Sequence, residues 1–249
     1  SDDITQQTYK PGKLTIATGQ PAYEPWVMND KPESGEGYEA AVAYAVADKL
    51  GFKKSDVVWT RTAFDTAIAP GAKDWDFNIQ QFGITDERKK AVDFSSSYYN
   101  DSQSVVVKKD SKFANATKVS DLKDATVGVM VGTLAYDYAK ANIKDDIQTF
   151  NDDAALAQAL DAGQIDALVT STVECVYMVQ SEQVKDAKVL GRLPDSEDKS
   201  GMGIVLPKDS KLTAAVTKAV DDLNADGTIK KLQDKWLAEY TTDLTELKK

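Results

Sequence analysis

Short runs rich in β-branched residues alternate with Ala-rich stretches of helical period, and this alternation constrains the chain more than any other feature. Lys13–Ala17 (KLTIA) predicts a first strand that ends at the turn-forming Thr18–Pro25. Gly37-Tyr38 opens Glu39–Gly51 (EAAVAYAVADKLG), an amphipathic helix with Gly51 at its C-terminal cap. Val57–Thr60 predicts a second strand and Phe64–Ala69 a short helix stopped by Pro70-Gly71. Phe77–Gln80 predicts a third strand running into the loop Gln81–Thr85. The order β-α-β-α-β points to a parallel sheet with helices on its faces.

A similar unit follows. Val119–Leu122 precedes the strand Thr126–Val131, then Gly132-Thr133 and the helix Leu134–Asn142. The helix Asp153–Ala162 leads to the strand Ala167–Thr170 and the helix Thr172–Gln180. A last strand, Gly203–Leu206, precedes the helices Leu212–Leu223 and Ile229–Glu239, with Asp226-Gly227-Thr228 as the turn between them. Two α/β lobes of roughly 100 residues each fit a chain of 249 residues. The expected division is a flexible polar lead-in at 1–11, a discontinuous first lobe at 12–101 and 201–249, and a second lobe at 102–200. The crossings fall near Ser102–Val107 and Ser200–Ile204.

Composition removes whole classes of function. With no histidine, neither a Ser-His-Asp nor a Cys-His centre can be built, nor a His-rich zinc site. The single Cys175 allows no intrachain disulfide and no Cys-rich metal cluster, and it reads as a small buried hydrophobe. Forty acidic against 30 basic residues leave a net charge of −10, which disfavours nucleic acid and anionic membranes as partners. Apolar runs such as Ala40–Val46 fall far short of the roughly 20 residues that span a bilayer. What remains is an acidic domain that binds something small, or an enzyme relying on carboxylates. No cofactor is expected. Gly128–Thr133 lacks the Gly-Lys-Ser/Thr ending of a phosphate-binding loop.

The most informative stretch is Gln81-Phe82-Gly83-Ile84-Thr85-Asp86-Glu87-Arg88, followed by Val92-Asp93-Phe94-Ser95 and Tyr98-Tyr99. A strand ending in a glycine loop before a helix exposes N–H groups that suit an anion. Arg88 adds a planar fork able to hold a carboxylate through two parallel hydrogen bonds. The alternative is a surface arginine paired with Asp86 or Glu87.

This block resembles the signature of amino-acid-binding extracellular solute-binding proteins, the type II periplasmic-binding-protein fold that serves ABC importers. Tyr23-Glu24-Pro25-Trp26, Gly37-Tyr38-Glu39, Val127–Thr133, Gly203–Pro207, Asp226-Gly227-Thr228 and Trp236 match in the same order, so the resemblance spans roughly 13–240. It implies an α/β, two-lobed, Venus-flytrap fold with a ligand cleft between the lobes, which close over the ligand for a membrane permease to recognise. It also implies a monomer at an extracellular, periplasmic or cell-surface location. The polar lead-in would suit the tether of a lipid-anchored protein or a trimmed start equally.

Carried over residue by residue, the resemblance makes Arg88 the clamp for a ligand α-carboxylate, helped by the N–H groups of Gly83 and Thr133. The Gln81 carbonyl would accept from the α-ammonium. Tyr23 and Phe64 would be aromatic walls with Phe82 close by, although each could equally be ordinary core. Gln20, Met130 and Leu134 match positions lining the side-chain pocket, and Met130 could equally be a gap-filler. This pocket of mixed polarity suits an uncharged polar side chain such as that of glutamine better than aspartate or glutamate.

One position departs from the pattern: Ser171 stands where relatives place an aspartate for the ammonium. A neutral hydrogen bond is worth about 1 kcal/mol against roughly 1.5–3 for a charged one, a loss of about tenfold or more. Glu174, one helical turn on, and Glu24 are the candidate replacements, or the ligand has no primary ammonium. Asp166 reads as structural. The expectation is therefore a binding protein with no catalytic and no metal-binding residues. A cyclohexadienyl-dehydratase-like enzyme using Glu174, or a ligand-sensing domain, is the alternative.

Overall fold

The computed structural model describes residues 3–241 and 244–249, and the chain divides into two compact units. The first comprises the residues up to Asn100 together with Lys199–Leu237. The second comprises Asp101–Asp198 with the C-terminal residues from Ala238 onward.

In chain order the first segment contains β1 (Leu14–Thr18), α1 (Tyr38–Lys49), β2 (Val57–Arg61), α2 (Phe64–Ala67), β3 (Phe77–Asn78), α3 (Asp86–Lys89) and β4 (Val92–Tyr99). The second unit contributes β5 (Gln103–Lys108), β6 (Val127–Met130), α4 (Leu134–Asn142), β7 (Ile147–Phe150), α5 (Asp153–Asp161), β8 (Ala167–Ser171), α6 (Thr172–Gln180) and β9 (Ala187–Arg192). The chain then returns to the first unit through β10 (Met202–Pro207), α7 (Thr213–Ala225) and α8 (Thr228–Trp236). The short α9 (Ala238–Thr241) belongs to the second.

The first unit's sheet has strand order β2-β1-β3-β10-β4 and the second's β7-β6-β8-β5-β9. Neither is purely parallel, contrary to expectation. In the first, β1, β2 and β3 run parallel, whereas β10 is antiparallel to both β3 and β4. In the second, β6 is parallel to β7 and β8, while β5 is antiparallel to β8 and β9. One reversed strand thus enters each sheet: β10, which follows the first unit's βαβ run after the excursion through the second unit, and β5, which precedes the second unit's run. Every residue of Leu14–Thr18 is buried, as expected of a strand covered on both faces, with Thr15 and Thr18 among the apolar residues.

Helix starts follow their caps. Thr85, Thr133 and Asp152 each turn a side-chain oxygen to a first-turn N–H of α3, α4 and α5. On α1, Tyr38, Glu39, Val42, Ala43 and Val46 recur at helical spacing and all are buried. Among them Glu39 is a carboxylate with no exposed surface, and it matters below.

Two boundary expectations are corrected. Residues 3–11 are not a loose lead-in: Ile4–Gln6 form a turn of 3-10 helix, Thr8 is buried, and the Tyr9 N–H donates to Asp76 Oδ1 at 2.7 Å. Asp76 also accepts from the Thr15 N–H at 2.7 Å, which ties the segment to β1. Ser1 and Asp2 lie outside the described residues. At the other end, the residues from Ala238 onward pack on the second unit and not the first. Leu247 is buried in its core, and Thr245, Leu247 and Lys248 exchange main-chain hydrogen bonds with Arg192, Val119 and Thr117. Gly191 permits this, because a Cβ there would sit 2.7 Å from the Thr245 carbonyl. Thr242 and Asp243 lie outside the described residues. Among the described residues, no helix is long and apolar enough to cross a membrane.

Candidate functional site

In the first unit the functional side chains gather where β1 and β3 end, at the start of α3. Thr85 caps α3 by accepting the Arg88 N–H at 3.1 Å, which places Arg88 in the first turn with its guanidinium turned back over the preceding loop. Arg88 Nη1 donates to the Gly83 carbonyl at 2.8 Å, and the guanidinium carbon lies 5.3 Å from the centre of the Phe64 ring. Among the described residues no carboxylate comes within ion-pair distance of Arg88, and Glu87 reaches Lys90 at 3.7 Å instead. The surface-pair alternative for Arg88 therefore fails. Burial lowers its pKa, an effect that the charge of Asp65 opposes.

Phe64 stacks on Phe82 with ring centres 4.8 Å apart. Phe82 has no exposed surface and sits in a cluster with Ala17, Trp75, Val92 and Val205. Its side chain backs the Phe64 wall and cannot itself line a site, which corrects its assignment as a ligand contact. Tyr23 is 53% exposed. A concavity of about 230 Å³ lies among Gly19, Pro21, Tyr23, Phe64, Gln80 and Gln81. Gln20 is exposed and absent from its lining. The neighbouring strand supplies Gln80 in its place, with the amide packed across Gly19, where a Cβ would sit 2.5 Å from Nε2. Gln80 Oε1 is buried and accepts no hydrogen bond among the described residues. Sequence reasoning missed Gln80 because a strand-end register decides which glutamine enters the pocket.

Gln81 adopts a left-handed backbone conformation, φ 50°, unusual for a residue with a Cβ. Its main-chain N–H donates to Glu39 Oε2 at 2.8 Å and its side-chain amide to Glu39 Oε1. The Tyr98 hydroxyl also donates to Glu39. Burial pushes the Glu39 carboxyl up to about 7, even though all three donors favour its charged form. Among the described residues the Gly83 N–H has no hydrogen-bonded acceptor. Glu24 is occupied locally, accepting the Asn29 N–H at 3.2 Å.

In the second unit two strand-to-helix turns carry the remaining residues. After β6, Val131-Gly132 lead to Thr133, whose hydroxyl donates to the Met130 carbonyl at 2.7 Å and accepts the Tyr136 N–H at 3.3 Å. That cap fixes the start of α4. Leu134 and Val131 are exposed, while Met130 is half-buried.

After β8, Ser171 occupies the cap position of α6 but makes no capping bond. Asp101 takes that role, with its Oδ2 accepting the Val173 N–H at 3.3 Å. Half-buried Glu174 has its carboxyl pushed up to about 7 by burial and by the negative charges of Asp153 and Asp101. Asp153, also raised by burial, has a buried Oδ1 with no hydrogen-bond partner among the described residues. The negative charges of Asp101 and Asp153 thus bear on the same helix start as Glu174. Among the described residues no three His, Cys, Asp or Glu side chains are arranged to hold a metal ion. Asp166 anchors the start of β8 by accepting the Thr126 N–H at 2.8 Å. Cys175 is buried, and burial pushes its thiol up, away from reactivity.

The chain as a whole has counterparts among known proteins. The family model for bacterial extracellular solute-binding proteins, family 3, matches residues 14–239. The L-arginine-binding protein of Pseudomonas aeruginosa is 29% identical over 92% of this chain and 88% of its own. The L-cystine-binding protein TcyJ of Escherichia coli is 30% identical over 88% of this chain and 81% of its own. A solved structure of the ancestral amino acid-binding protein AncCDT-1, a precursor of cyclohexadienyl dehydratase, is 31% identical. It superposes with a TM-score of 0.63 over 90% of this chain and 95% of that one. This chain belongs to the bacterial extracellular solute-binding proteins, family 3.

Proposed function

We propose that the chain captures a free amino acid whose side chain carries N–H donors, and delivers it to the permease of an ABC importer. The observation that carries this reading is Arg88, a guanidinium fixed by Gly83 and Phe64 yet paired with no carboxylate among the described residues. A ligand α-carboxylate is the natural partner, bound in the fork with the Gly83 N–H beside it. The first turn of α4 at Thr133 offers the same group a second anion-binding end.

The ammonium falls to the Ser171–Glu174 turn of α6. Replacement of the usual aspartate by Ser171 leaves the charge to Glu174, with Asp153 and Asp101 adding to the field. Gln80 Oε1 supplies an acceptor for a side-chain N–H between the walls of Tyr23 and Phe64. The relatives named for arginine and cystine bind ligands with a second cationic group, which suits both features. This shifts the expected ligand from a glutamine-like side chain toward a cationic one. The protein works as a monomer outside the cytoplasmic membrane. The test is a thermal-shift screen of the amino acids followed by calorimetry. L-Arginine or L-cystine should raise the melting temperature by mass action; a response to none of the amino acids would refute the reading.

A second reading has one observation in its favour. A carboxyl raised to about 7 is poised for general acid chemistry, and Glu174 is one. Incubation with prephenate and arogenate decides it: product formation would make the chain an enzyme, whereas binding without turnover leaves Glu174 an ammonium partner.

A further inference from the structure

We propose that Glu39 is a positioning residue for ligand capture: its buried carboxylate locks Gln81 in the left-handed conformation that aims the Gln81 carbonyl and the Gly83 N–H at the ligand. This rests on the amino-acid reading above and adds to it a residue that touches no ligand.

The geometry is a relay inside the first unit. Glu39 projects from the first turn of α1 and has no exposed surface. It receives both the main-chain and the side-chain N–H of Gln81, 42 residues along the chain. Two residues further, Gly83 offers its carbonyl to Arg88 Nη1. The 82–84 segment is pinned to β10 by main-chain bonds, Gly203 N–H to the Phe82 carbonyl at 3.0 Å and Ile84 N–H to the Gly201 carbonyl at 2.9 Å. Gln81 is where the loop leaves β3 before reaching that anchor. A left-handed residue with a Cβ is unfavourable on its own and persists only where its surroundings hold it. Glu39 is what holds it.

The carboxylate is itself braced. Tyr98 on β4 donates its hydroxyl to Glu39, the Tyr38 hydroxyl donates to the Tyr98 carbonyl at 2.5 Å, and Gln233 of α8 donates to the Tyr38 hydroxyl at 3.3 Å. The titratable groups facing Glu39 are Tyr98 and Tyr38, both held above the ordinary phenol range by burial. Gln81 and Gln233 are neutral. Among the described residues no cation compensates the charge, so a carboxylate here is expensive, and an apolar residue would pack at lower cost. An expensive charge that accepts two bonds from one loop residue is explained by what that loop does. Ionised, Glu39 accepts all three donors. Protonated, one of its oxygens must donate, and its hold on Gln81 weakens.

The test uses the full chain with Glu39→Met and the near-isosteric Glu39→Gln. Hydrogen exchange of the 79–85 segment is measured without ligand, and L-arginine binding is measured by calorimetry. Glu39→Met should speed exchange of 79–85 tenfold or more while β1 and β10 stay protected, and should weaken L-arginine binding at least tenfold. Glu174→Gln silences the other carboxyl that titrates near neutrality. In that background, affinity should fall between pH 8 and pH 6, and adding Glu39→Gln should flatten the profile. Unchanged exchange at 79–85, or an equal rise over the whole first unit, would overturn the proposal. A pH profile that Glu39→Gln leaves intact would do the same. If the unaltered chain fails to bind L-arginine, the amino-acid reading loses its probe, and exchange at 79–85 alone decides whether Glu39 positions the loop.

Discussion

Arg88 donates to the carbonyl of Gly83 at 2.8 Å, so the cation that would hold a ligand is fastened to the loop whose N–H would hold the same ligand. Phe64 closes the arrangement by lying 5.3 Å beneath the guanidinium. A preset arginine loses little side-chain freedom on binding, which leaves more of its interaction to appear as affinity. Among the described residues its own helix adds no ion-paired carboxylate, and Glu87 turns to Lys90.

Gln80 should discriminate among ligands. Its buried Oε1 lacks a donor, and Gln80→Met keeps the volume while removing the acceptor. Calorimetry should show L-arginine binding weakened about tenfold, in line with a hydrogen bond to a charged group at roughly 1.5 kcal/mol or more. L-Alanine, too short to reach it, should be unaffected.

The carboxylates near Ser171 make a paired prediction. Glu174→Gln should weaken L-arginine binding tenfold or more. Adding Ser171→Asp to that variant should recover most of the loss, by restoring one charge at the end of α6. Ser171→Asp alone should bring no gain, since a further negative charge beside Glu174, Asp153 and Asp101 raises their pKa values instead.

Proton release should accompany binding near neutral pH. With its carboxyl at about 7, Glu174 is partly protonated there, and an arriving cation favours the ionised form. Titrations at pH 7 in buffers of different ionisation enthalpy should show a net release that is reduced in Glu174→Gln. Net uptake would place the cation elsewhere.

Much of this was legible in the sequence and some was not, for physical reasons. The Ile84–Arg88 block is contiguous, so the cap at Thr85 and the position of Arg88 follow from local chemistry. Glu39 and Tyr98 lie 59 positions apart and meet only once α1 packs on the sheet. Whether Gln20 or Gln80 enters the pocket depends on register, which no local pattern encodes. The strand Ile147–Phe150 is half-exposed at a sheet edge and gives little apolar signal. Leu247 looks like one of two isolated leucines in a polar tail until the core of the second unit receives it.

Stability should fall as pH rises from mildly acidic to neutral. Glu39 moves from 4.5 to about 7 on folding, so between those values the folded chain holds a proton that the unfolded chain has released. The stabilisation is full below 4.5 and lost as pH approaches 7, roughly 3 kcal/mol for such a move. Urea unfolding at pH 4.5, 6 and 8 should show the decline, and Glu39→Gln should make it shallower. Retaining a carboxylate that lowers stability at working pH fits a residue kept for the ligand loop.

The most direct measurement is a calorimetric comparison of L-arginine with agmatine, its decarboxylated form, on the unaltered chain and on Arg88→Ala. L-Arginine should bind the unaltered chain roughly 100-fold or more tighter than agmatine, as two charge-assisted hydrogen bonds to one carboxylate would provide. Arg88→Ala should bring L-arginine down to the agmatine level, with the ligand-free melting temperature little changed. Equal binding of the two ligands by the unaltered chain, or an Arg88→Ala variant that keeps the preference for the carboxylate, would contradict the assignment of Arg88 as the clamp.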